Sequence, residues 1–147
     1  MYYLQTEQSF DAAHFLKGYE GKCKNLHGHR WRVEARIQGQ TLQDSGPQTG
    51  MLTDFGDLKA DLKALTDEFD HALLVEEGAL RDTTLAALRE EDFRMVILPF
   101  RTTAENMAKY FYDCLSGAGY PVTRVTVWET PTNCAVYDGG EEETWLV

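Results

Sequence analysis

HGHRWRVEARIQ, residues 27–38, decides the fold. From Arg30 to Gln38 the side chains alternate without a break. Trp31, Val33, Ala35 and Ile37 take one face, and Arg30, Arg32, Glu34, Arg36 and Gln38 take the other. Period-two alternation is the pattern of a strand with one buried and one solvated face. Working outward, residues 2–10 read as a second strand, with Tyr2, Leu4 and Thr6 opposite Tyr3, Gln5 and Glu7. Residues 11–28 read as loop, with Gly18, Gly21 and Gly28, and residues 39–50 as a turn-rich connection.

Two helices follow. Leu58, Leu62, Leu65 and Phe69 form one stripe of a helix over 56–68. Met107, Phe111, Cys114 and Leu115 form the stripe of a helix over 103–116. Thr102 and Glu105 fit a capping box at its start, and Gly117 ends it. Residues 122–129 and 134–137 read as strands around the turn TPTN. Between the helices, residues 76–99 accommodate a short helix near 83–91 and an extended stretch, MVIL, at 95–98. The coarse order is ββααββ, an α+β chain forming one domain over residues 1–147.

The chain has 147 residues, 43% hydrophobic and 26% charged, enough to build a core without disulfides. Its 24 acidic and 14 basic residues leave a formal charge of −10. That surface repels phosphate backbones and anionic bilayers, so neither nucleic acid nor membrane is an expected partner. Three widely spaced cysteines form no disulfide framework, and MYYLQTEQSF is not a signal peptide. The expected compartment is cytoplasmic.

Four histidines carry the chemistry: His14, His27, His29 and His71. His27 and His29 stand two apart where the decisive strand begins, so they share its buried face with Trp31, roughly 7 Å apart in Cα. Two imidazoles in a sheltered place suit zinc, or they are simply hydrogen-bonded at a strand end. His14, in FDAAH, is brought near them by a hairpin and makes a third ligand. Cys23 either closes the set as a fourth ligand or stands free as a general base, its thiolate favoured by Lys22 and Lys24. Cys114 and Cys134 read as packing residues. Asp70 and His71 form a proton-relay pair or a surface pair at a helix end. Glu129 shares a strand face with Val125 and Val127; its carboxylate either meets the paired N–H donors on the guanidine-like edge of a pterin or purine or is solvated at the strand end.

Six stretches occur in one order: FDAAH (10–14), CKNLHGH (23–29), MLTDFGDLK (51–59), FDHALL (69–74), TAEN (103–106) and VWET (127–130). On these the chain resembles the 6-pyruvoyl-tetrahydropterin synthase superfamily, and within it the bacterial 6-carboxytetrahydropterin synthases of queuosine biosynthesis. The resemblance implies the tunnelling fold, ββααββ with an antiparallel sheet that closes into a barrel on oligomerisation, typically as a homohexamer of two trimers. It implies Zn²⁺ held by His14, His27 and His29, Cys23 as catalytic base, and Asp70 and His71 as relay partners supplied by a neighbouring subunit. Glu129 is implied as the anchor of the pterin ring and a contributor to proton relay, with Thr103 also holding the ring. The implied reaction is that of a carbon–carbon lyase. It takes 7,8-dihydroneopterin triphosphate to 6-carboxy-5,6,7,8-tetrahydropterin, acetaldehyde and triphosphate. The alternatives are triphosphate elimination by a pyruvoyl synthase, or a non-catalytic zinc-stabilised pterin-binding module. Lys17, Lys22, Lys24 and Arg101 are the candidate cations for the triphosphate. The chain departs from the family in its long 76–99 segment and in FRTTAEN, which replaces NPTAEN.

Overall fold

The computed structural model describes residues 1–140. The order is β1 (Tyr2–His14), β2 (His27–Gly39), α1 (Phe55–Asp67), β3 (Ala72–Glu76), α2 (Asp82–Glu90), β4 (Met95–Leu98), α3 (Ala104–Gly117), β5 (Val122–Thr130) and β6 (Asn133–Tyr137). One six-stranded sheet runs β4-β3-β1-β2-β5-β6. The architecture is α+β, as expected. The expected antiparallel sheet needs one correction. Its β1–β2, β2–β5 and β5–β6 pairs are antiparallel, but β3 pairs in parallel with both β1 and β4. For β3 and β4 the 76–99 segment causes this, because α2 serves as the crossover that a parallel pair requires, whereas β1 and β3 are joined through β2 and α1.

The first strand is longer than alternation over residues 2–10 suggests. It runs on through Asp11 to His14, and Phe10, Ala12 and His14 are all buried. Residues 11–14 are therefore not loop. Register pairs Phe10 with Trp31, Ala12 with His29 and His14 with His27. Helices α1 and α3 bury Leu58, Leu62, Met107, Phe111 and Leu115 completely. Phe10 links the layers, stacked on Trp31 at 6.0 Å and touching Phe69 and Phe111. A core of this kind supplies roughly 1.5–3 kcal/mol for each fully buried large apolar side chain.

The helix ends differ from the expected ones in detail. Asp54 caps α1 by accepting from the Gly56 N–H at 2.6 Å. Thr103, not Thr102, caps α3 by accepting from the Asn106 N–H. Thr102 is instead fully buried. At the far end Gly117 is still helical, and Gly119 takes the left-handed turn at φ +97°. Cys134 is exposed rather than packed, because its strand lies at the sheet edge. Among the described residues no helix is long and apolar enough to cross a membrane.

Candidate metal centre and active site

The β1–β2 register creates a metal-type cluster. His14 faces His27 directly, and His29 faces the small Ala12, so three imidazoles crowd one patch of the buried face. Their ring centroids lie 4.6–5.2 Å apart. Trp31 forms the floor, edge-on to His14 at 4.9 Å and to His29 at 5.5 Å. Glu129 enters from β5. The β5–β6 register shifts between Trp128 and Thr130, and an irregularity of this kind re-aims the residue it contains. Glu129 Oε1 lies 3.1 Å from His14 Nε2 and 3.2 Å from His29 Nε2. The potential ligand atoms of these four residues all fall within 4.8 Å of one another.

The donor chemistry fits zinc. Nε2 of His14, His27 and His29 is buried in each case without a hydrogen-bond partner. Two outer nitrogens are occupied. His14 Nδ1 donates to the Thr102 carbonyl at 2.9 Å, and His27 Nδ1 donates to the Asn25 carbonyl at 2.6 Å. A proton held on Nδ1 leaves the Nε2 lone pair free, which is how metal-binding histidines are oriented. Burial pushes the His29 imidazole below its ordinary pKa, which also favours a neutral ligand. The close approach of His14, more than any other neighbour, holds the Glu129 carboxyl below its usual range, against the opposing effect of burial. Tetrahedral zinc with bonds of about 2.0–2.1 Å separates its ligand atoms by roughly 3.3 Å, close to the Glu129–histidine spacings.

The sequence reading anticipates the three histidines but places Glu129 toward a substrate ring. Here one carboxylate oxygen meets the imidazoles, while the residue also lines a cleft of about 470 Å³ with His29, Arg32 and Trp128. Cys23 lies in a 3-10 turn, Lys22–Lys24, and is not one of the four clustered residues. Its carbonyl accepts from the Leu16 N–H at 2.9 Å, which closes the loop after β1. Thr102 and Asn25, which orient two of the histidines, escape sequence reasoning. Thr102 is 88 residues from His14, and its local signal is that of a helix cap rather than of a histidine partner.

Asp70 and His71 stand apart from the cluster. His71 Nδ1 donates to Asp70 Oδ2 at 2.9 Å, and the His71 side chain is 77% exposed. His71 lines a larger cleft, about 670 Å³, with Asp11, His29, Arg30, Leu73 and Phe93. The Asp11 N–H donates to Asp70 Oδ1 at 2.9 Å, and this bond, more than His71, pulls the Asp70 carboxyl below its ordinary pKa of 3.8. The sign follows from linkage: a lowered folded-state pKa adds stability above the unfolded value, and that stability is lost on acidification. The stability difference between the parent and Asp70→Asn, read from urea unfolding midpoints, is therefore expected to narrow as pH falls below about 4.

The profile of the 6-pyruvoyl tetrahydropterin synthase family matches residues 3–140. The chain belongs to this family and is a lyase. Among its relatives, the 6-carboxy-5,6,7,8-tetrahydropterin synthase of Haemophilus influenzae is 36% identical over 140 residues, covering 93% of this chain and 99% of that one. The enzyme of the same name from Synechocystis is 34% identical, covering 93% of each. A Wolinella succinogenes protein of unassigned function, WS1659, shares the fold with a TM-score of 0.78 at 20% identity, covering 95% and 98%. The Caenorhabditis elegans 6-pyruvoyl tetrahydropterin synthase aligns with a TM-score of 0.65 at 25% identity, covering 95% and 96%.

Proposed function

We propose that this protein is a zinc-dependent 6-carboxytetrahydropterin synthase acting in the cytoplasm on the route to queuosine. The reaction converts 7,8-dihydroneopterin triphosphate and one water to 6-carboxy-5,6,7,8-tetrahydropterin, acetaldehyde and triphosphate. The observation that carries this is the convergence of three unpartnered Nε2 atoms beside a cleft edged by Glu129. His14, His27 and His29 would hold the zinc. When bound, zinc supplies Lewis acidity toward the substrate's side-chain oxygens. The Cys23 thiolate removes the proton from the adjacent carbon. His71, with Nδ1–H fixed on Asp70, presents Nε2 to exchange protons with those oxygens. Glu129 accepts the paired N–H donors of the pterin ring, with Thr103 at the ring's edge. Ring reduction is balanced by side-chain oxidation, so no nicotinamide or flavin takes part.

The assembly is a homohexamer of two trimers, with the relay pair and the zinc set that share a substrate coming from different subunits. Two features support this. His71 is exposed and outside the metal cluster, and among the described residues β4 and β6 leave both sheet edges unpaired. Cys23→Ala and His71→Ala subunits, each inactive alone, are expected to regain partial activity when mixed. Mixed oligomers that remain inactive would refute the shared site.

Glu129→Gln tests the ring anchor. Charge-assisted bonds contribute roughly 1.5–3 kcal/mol, so pterin affinity in calorimetry is expected to fall about 10- to 100-fold with zinc retained. Loss of zinc with pterin affinity preserved would assign the carboxylate to the metal instead.

A further inference from the structure

The long segment between β3 and α3 delivers one side chain to the relay pair. Arg94 immediately precedes β4, far from α1 in sequence, yet its guanidinium closes the end of that helix. Nη2 donates to the carbonyls of Asp67 at 3.0 Å and Glu68 at 2.8 Å, and Nη1 donates to the Asp70 carbonyl at 3.2 Å. Helix ends expose unsatisfied carbonyls with partial negative charge, and α1 has no basic residue in its own last turn. The Arg94 carbonyl in turn accepts from the Leu73 N–H at 3.0 Å. Residue 94 thus grips the chain on both sides of His71.

That grip matters because His71 sits at φ +56°, a left-handed backbone conformation uncommon for residues other than glycine. Such conformations persist only where surrounding contacts fix them. On one side the fixing contact is β1, where the Asp11 carbonyl accepts from the His71 N–H at 2.6 Å and the Asp11 N–H binds the Asp70 carboxylate. On the other side it is Arg94.

We propose that Arg94 is a positioning residue for the Asp70–His71 pair, holding the left-handed turn that aims the His71 imidazole into the cleft. The 76–99 segment, through α2 and β4, is the structure that brings it there. The proposal rests on the relay reading above, and a mutant cycle separates the two. Single-turnover rates and KM for dihydroneopterin triphosphate are measured for Arg94→Met, Arg94→Lys, His71→Ala and the Arg94→Met/His71→Ala double variant. Zinc content and oligomer size are checked in each.

Arg94→Met is expected to lower the rate about 10-fold or more with KM within about 2-fold, because the pair is misaimed while the ring and metal contacts stay intact. Arg94→Lys, which keeps a cation at the carbonyls, should recover most of that loss. In the His71→Ala background Arg94→Met should change the rate less than about 2-fold, since it acts through a side chain already removed. An equal loss in both backgrounds, or a parent-like rate for Arg94→Met, would overturn the proposal. A parent-like rate for His71→Ala would remove the relay reading and this proposal with it. Should Arg94→Met not assemble, Arg94→Gln takes its place in the same cycle.

Discussion

Alanine at Cys23 is expected to lower the single-turnover rate by about 10²-fold or more, the scale of a missing general base, with zinc content and pterin affinity unchanged. The expectation is sharp because Cys23 is not among the clustered residues that could hold the metal. The clustered ligand atoms come from three histidines and Glu129, and Cys23 is elsewhere, in the turn between Lys22 and Lys24. A thiol that served as a fourth ligand would take zinc with it when removed. The two outcomes differ in kind: loss of rate with metal retained, or loss of metal. Metal analysis alongside rapid-quench kinetics reads both.

Alanine at His14 is expected to do the reverse. Structural zinc sites bind with about 10–16 kcal/mol over four ligands, so each ligand supplies roughly 3 kcal/mol, or about two orders of magnitude in affinity. His14 is fully buried, so its removal also opens a void beside Trp31 and leaves the Thr102 carbonyl without its donor. Large-to-small changes of that kind cost roughly 2–5 kcal/mol. His14→Ala should therefore lose zinc in competition with a chromophoric chelator, and should unfold at lower temperature than the metal-stripped parent. His29→Ala, at a half-buried position, should lose zinc comparably with a smaller thermal penalty.

Much of this arrangement is legible in the sequence, for identifiable reasons. The alternation of Arg30 to Gln38 fixes which face is buried, and parity alone then puts His27 and His29 on it with Trp31. The apolar stripes of the two long helices are equally plain. What fails is the stretch around Asp11 to His14. Alanine and aspartate have weak strand preference, so the local pattern ends the strand at Phe10. Its continuation is enforced by pairing with β2, a long-range contact that no local pattern encodes. The parallel strand Ala72–Glu76 is hidden for a related reason: ALLVE is a short apolar run that periodicity cannot assign. Thr102 is read as part of a cap because the cap signal is local, whereas its bond to His14 spans the chain. Arg94 gives no local signal either, since its three carbonyl partners, Asp67, Glu68 and Asp70, lie at and just beyond the end of α1, 24 to 27 residues away.

Identifying the products formed from 7,8-dihydroneopterin triphosphate by the zinc-loaded protein is the most direct test of the proposed function. The account predicts acetaldehyde and 6-carboxy-5,6,7,8-tetrahydropterin in equal amounts, with triphosphate released and no added redox cofactor. Release of triphosphate with a pyruvoyl-tetrahydropterin product and no acetaldehyde, or pterin binding with no turnover at all, would contradict it.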